Sequence, residues 1–162
     1  MKKRAQMQLS FGMIFSILLI IFFVAIAFYA IKVLLNAQDN LKVSKFKLDL
    51  QNEIDKIWKS SKTSQEFGGN NLLPSKVKKV CVVDFSNPAI GDEELYKKLK
   101  QSFWENENLF FYPTAGQDAM FIKNLDLEKT TASENPLCFD VLNSKVKFIL
   151  EKNFGESLVT IR

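Results

Sequence analysis

Asp92, Glu93 and Glu94 form the one acidic cluster in the chain, and grouped carboxylates are where a divalent cation or an acid–base pair would be sought. Calcium needs more oxygen ligands than these three supply, and no EF-hand spacing accompanies them. They follow the turn-forming Ser86–Gly91 stretch and precede Leu95 and Leu99, so they read as the capped start of a helix. Asp84 closes a β-branched run without an identifiable partner acid and reads as a turn residue. Cys81 as a nucleophile would need an activating base, usually His, and the chain has no His at all. That absence also excludes Ser-His-Asp sites, histidine-containing zinc sites and an imidazole switch. Gly68-Gly69 is followed by Asn-Asn-Leu-Leu and lacks the lysine of a phosphate-binding loop. Trp104, Phe110, Phe111 and Tyr112 could form an aromatic binding surface, but in a chain with 15 Phe the simpler expectation is core packing. These residues predict no catalytic site, no metal and no cofactor.

Two cysteines, Cys81 and Cys138, remain, and they do not form a Cys-x-x-Cys pair. An even count suits one disulfide in an oxidising compartment, which would close a loop of about 58 residues. The alternative is two unlinked buried thiols.

The elements that must position these residues are dominated by one segment. From Ala5 to Ile31 there is no charged residue for 27 positions. As a helix this run is roughly 40 Å long, more than the ~30 Å hydrocarbon core of a bilayer. A cleaved secretory signal would have a shorter apolar core with its small-x-small site at the end, whereas Ala25-Ile26-Ala27 lies inside the run. A retained transmembrane helix at 6–31 is the expectation, with the bilayer as partner.

The net charge of +4 is unevenly spread. Lys2, Lys3 and Arg4 precede the apolar run, and the stretch 32–62 holds seven Lys against four acids. From Thr63 to Arg162, 12 basic residues face 14 acidic ones, which excludes the basic domain of a nucleic-acid binder. Positive charge flanks the apolar run on both sides, so charge alone does not orient it. The cysteines favour a cytoplasmic N-terminus and a C-terminal domain outside the cell membrane.

The junction Lys3-Arg4-Ala5-Gln6-Met7-Gln8-Leu9-Ser10-Phe11 resembles the class III signal peptide of archaeal type IV pilin-like proteins and archaellins. The resemblance covers about 27 residues. It implies cleavage between Ala5 and Gln6 by a prepilin-type peptidase, leaving the long helix in the mature protein and residues 1–5 as a basic leader. Such sequences usually carry Glu at the fifth mature position, where this chain has Ser10. The resemblance therefore implies processing more directly than assembly into a conventional filament. Gly12 and Ser16, four apart, are candidates for close helix packing in the membrane.

Beyond Ile31, the residues Val43, Phe46, Leu50, Ile54 and Ile57 recur at spacings of three and four, the stripe of an amphipathic helix. No Gly or Pro interrupts the chain between Gly12 and Gly68. One helix is expected from about Ala5 to Lys62, bent near Asn36–Asn40, with a helical stem at 32–62. The stripe, with Trp58, would pack on a domain at 63–162; a short coiled-coil stem is the alternative. Ser60–Asn71 reads as a loop and Lys76–Phe85 as a strand. A helix should run from Asp92 through about Trp104, with Leu95, Leu99, Phe103 and Trp104 inward. Leu109–Tyr112 and Ala119–Lys123 should be strands around a Pro113–Asp118 turn. Leu137–Leu142, Val146–Glu151 and Ser157–Arg162 complete a largely antiparallel sheet, the last two as a hairpin. The expected fold is α+β: a long N-terminal transmembrane helix continuing as an amphipathic stem packed on a small sheet. The expected role is non-enzymatic: structure, assembly or adhesion at the membrane surface, with other copies of itself as partners. The alternative is an accessory or solute-binding subunit tethered to a membrane complex.

Overall fold

The computed structural model describes residues 11–68, 72–102, 105–113 and 119–162. Helix α1 spans Phe11–Trp58 and is followed by strands β1 (Thr63–Phe67) and β2 (Lys79–Val82), then helix α2 (Glu93–Gln101). After these come β3 (Leu109–Tyr112), α3 (Leu127–Thr130), β4 (Leu137–Asp140), β5 (Phe148–Lys152) and β6 (Thr160–Ile161). The fold is α+β, with a long apolar N-terminal helix followed by a small antiparallel-sheet domain. Two compact units divide the chain between Gln38 and Asp39, so the second half of α1 belongs to the domain.

In the first unit, every side chain from Gly12 to Gln38 is exposed. In the second, Val43, Phe46, Leu50, Ile54 and Ile57 are each at most 3% exposed. They pack with Val80, Val82, Phe111, Phe148, Leu150 and Ile161 into one core. The three-and-four spacing is thus spent on the chain's own sheets. Phe46 lies edge-on to both Phe67 (5.6 Å between centroids) and Phe111 (5.7 Å), which ties α1 to β1 and β3.

Among the described residues there are two three-stranded antiparallel sheets, ordered β1-β5-β6 and β3-β2-β4, where one was expected. The β5–β6 hairpin is present, with Leu150 opposite Ile161. Several boundaries are corrected. The expected loop at 60–71 contains β1, an edge strand whose Ser64, Gln65 and Glu66 face solvent and so carry no alternating apolar signal. α1 ends at Trp58 rather than Lys62. Ala119–Lys123 makes only an isolated bridge at Met120, opposite Leu109. The Asn108 side chain takes the place of the expected ladder, donating to Ile122 O (3.1 Å) and accepting from Ile122 N (2.7 Å). The four-residue α3 was not expected; Asp126 caps it through Lys129 N at 3.0 Å.

The C-terminus of α1 is closed by a residue 94 positions away. Lys152, 8% exposed, donates its ammonium to Trp58 O and to Ser60 O. A cation at the negative end of the helix dipole satisfies terminal carbonyls that otherwise lack donors. Lys152→Met should therefore destabilise the domain by about 1–3 kcal/mol, since it removes the ammonium from those part-buried carbonyls. Urea unfolding of the solubilised protein would measure this.

Candidate functional site

The most conspicuous surface is the first half of α1. Phe15, Leu18, Ile20, Ile21, Phe22 and Phe23 are all more than half exposed, and no packed neighbour covers them. A monomeric soluble protein rarely leaves so large a contiguous apolar surface in water. The helix is long and apolar enough to cross a membrane, a description that a signal sequence near the N-terminus also meets. Its backbone bonds are internal, as a lipid-spanning segment requires. Ser16 donates its hydroxyl to Gly12 O at 2.8 Å, so the one polar side chain between Gly12 and Phe28 is also satisfied within the helix. The candidate cleavage residues Ala5 and Gln6, and Ser10, lie outside the described residues.

Cys81 and Cys138 face each other across β2 and β4, in register, with Cα atoms 4.1 Å apart and a disulfide between them. The short Cα separation belongs to a non-hydrogen-bonded antiparallel pair, where opposing side chains approach most closely. Cys81 is fully buried among Val83, Leu95, Leu99 and Phe110. The bridge thus lies in the small core between α2 and the β3-β2-β4 sheet, and a linked sulfur is no nucleophile.

The acidic cluster does what a helix start requires. Asp92 Oδ1 accepts from Leu95 N at 2.9 Å. Glu93 and Glu94 pair with Lys97 (3.4 Å) and Lys98 (2.6 Å), one helical turn on. The Glu94 carboxylate holds the Lys98 ammonium above its ordinary value. Helix α2 stops at Gln101, short of the expected Trp104, and Phe103 and Trp104 lie outside the described residues.

Asp84 is 6% exposed, and both of its oxygens are engaged: Oδ1 accepts from Ser86 N at 2.9 Å and Oδ2 from Asn87 Nδ2 at 2.7 Å. It is the anchor of an Asx turn. Asn135, 1% exposed, locks the same loop from 51 residues away: Oδ1 accepts from Asp84 N, and Nδ2 donates to Asp84 O and Pro88 O. No local sequence signal marks Asn135 for this role, because all of these partners are distant in the chain. Burial, and secondarily the Asp84 charge, raises Tyr96 above the ordinary phenol value, while its hydroxyl donates to Asn87 O.

A shallow recess of about 200 Å³ opens beside Asp84, lined also by Glu107, Asn108 and Phe121. At its edge, Asp84 already accepts one hydrogen bond on each carboxylate oxygen, both from its own turn. Phe110 and Phe111 are buried and Tyr112 is half-buried, so this part of the aromatic run is core. Among the described residues, no three His, Cys, Asp or Glu side chains gather as a metal site would require.

One ion pair at the surface, Glu156 with Lys129, should give the domain a pH dependence. Glu156 accepts from Asn153 N at 2.8 Å and from Lys129 Nζ at 2.9 Å, and these bonds, the backbone one first, lower its carboxyl below the ordinary value. A carboxylate depressed on folding contributes stability above its unfolded value and loses it as the pH falls through the folded one. Glu156→Gln should accordingly lower the melting temperature at neutral pH and change it little in acid below both values. Thermal melts of the two proteins across that range would check this.

No protein family, curated protein or solved structure matches this chain.

Proposed function

We propose that this chain is a non-enzymatic, single-pass membrane-anchored surface protein, pilin-like in plan, whose work is structural: anchoring, assembly or adhesion. The observation that carries the reading is the change of environment along one helix. Its first half is apolar on every side and exposed, as a lipid-facing helix must be; its second half buries a single stripe in a folded domain. The engaged state of Asp84, Cys81 and the acidic cluster supports a role without catalysis. The disulfide supports an oxidising location, with the N-terminus in the cytoplasm and the domain outside the cell membrane.

The leader-like junction before Phe11 supports processing by a prepilin-type peptidase between Ala5 and Gln6. Mass spectrometry of the purified protein's N-terminus tests this: a chain beginning at Gln6 supports pilin-type processing, and one beginning at Met1 contradicts it. The second reading is an accessory or solute-binding subunit of a membrane complex, and Ser10 in place of the usual Glu favours it. Gentle detergent extraction separates the two, since long homopolymers support the first reading and a stoichiometric polytopic partner supports the second.

A further inference from the structure

The polypeptide enters the domain at Asp39, and three stretches meet at that end. Asp39 pairs with Lys76 at 3.5 Å, which brings the segment after β1 to the helix. Leu73 N donates to Ser144 O at 2.8 Å, which joins that segment to the turn Leu142–Lys145. The turn is closed by reciprocal Leu142–Lys145 backbone bonds of 2.8 and 2.9 Å, with Asn143 and Ser144 at φ of 51° and 62°. These geometries fix two apolar side chains in the open: Leu142 is 72% exposed and Leu72 52%. Exposed Lys76 and Lys145 lie on these same two segments, and exposed Lys42 and Lys45 follow Asp39 on α1. Of the nearby acids, Asp39 pairs with Lys76 and Asp140 with Lys79.

Leucines on a hydrogen-bonded turn and loop, with exposed lysines on the same segments, match a surface whose partner is apolar just beneath a negatively charged layer. A bilayer of anionic lipid has that profile. The order along the chain agrees: the last apolar residues of the N-terminal run, Val33, Leu34 and Leu35, precede Asp39 by only four positions.

We propose that this end of the domain is a lipid-docking surface, with Leu72 and Leu142 entering the headgroup region and the lysines engaging anionic phosphates. The inference rests on the membrane-anchored reading above. It makes the anchor a two-part device, in which the helix holds the protein in the membrane and the domain's base holds the domain against it.

The test uses the full chain reconstituted in phosphatidylcholine vesicles, with and without phosphatidylglycerol, containing lipid brominated near the top of its acyl chains. Leu142→Trp places a reporter on the proposed surface. Phe154→Trp, at the 85% exposed tip of the Asn153–Glu156 turn, places one beside the far end of α1, where Trp58 Nε1 donates to Ser157 O. With the parent's emission subtracted, Leu142→Trp should lose emission to the brominated lipid. The loss should be greater with phosphatidylglycerol and reduced by high salt, while Phe154→Trp keeps its emission. Equal quenching of the two variants, or none at Leu142→Trp, overturns the proposal. Should Leu142→Trp melt early, Leu72→Trp is read in its place. Alkaline carbonate washing separates the two failures: release of the parent protein defeats the membrane-anchored reading, whereas retention without quenching at Leu142→Trp defeats the docking surface alone.

Discussion

Phe46→Ala is expected to destabilise the domain by about 3–5 kcal/mol, the usual cost of emptying a buried aromatic site. Phe46 is 1% exposed and holds Phe67 of β1 and Phe111 of β3 by edge-on contacts, so its loss opens a cavity where α1 meets both sheets. A domain of this size is typically stable by only about 5–15 kcal/mol, so the variant should unfold at a much lower urea concentration. Leu48→Ala is the matched control. Leu48 lies on the same helix, 64% exposed, and its removal should change stability by no more than about 0.5 kcal/mol. Similar losses in both variants would mean that the stripe is not the face that carries the packing.

The second large effect comes from the Cys81–Cys138 bridge. The cysteines are 57 residues apart in sequence, and closing a loop of that length stabilises a domain by roughly 4 kcal/mol on the chain-entropy view. The Cys81→Ala/Cys138→Ala double variant should therefore melt well below the parent, and added reductant should move the parent toward the variant. Because the bridge joins β2 to β4, the loss should be felt most in the sheet that packs α2. A parent whose melting does not respond to reductant, and matches the double variant, would show that the thiols are unlinked in the isolated protein.

How far these features were legible depends on how local their causes are. The spacing of Val43, Phe46, Leu50, Ile54 and Ile57 marks a buried helical face, because three-and-four periodicity needs no knowledge of the partner. Asp92 before Leu95 marks a cap for the same reason: donor and acceptor are three residues apart. The exposed apolar first half of α1 follows from composition alone. β1 was hidden because Thr63-Ser-Gln-Glu-Phe67 is mostly solvent-facing and pairs through its backbone with β5, about 85 residues on. Lys152, Asn108 and Asn135 were hidden for another reason. Each is an ordinary polar residue in sequence and becomes structural only by satisfying backbone groups brought to it by the fold.

The candidate site divides along the same line. Asp84, Cys81 and the 92–94 acids are chemistry-bearing residue types, and the sequence reading that assigned them structural roles rested on missing partners. The structure gives those roles atoms: an Asx turn, a cross-strand bridge and a helix cap. The base of the domain, by contrast, could not be read from sequence. Leu72 and Leu142 are 70 positions apart, and their segments are brought together by backbone bonds such as Leu73 N to Ser144 O and Val141 N to Lys78 O.

The central claim is that the N-terminal half of α1 stays in a lipid bilayer and carries the domain with it. Alkaline carbonate washing of membrane vesicles from cells making the full chain tests that claim most directly. Recovery of the intact protein in the membrane pellet is the predicted result, and its release into the supernatant would contradict the account.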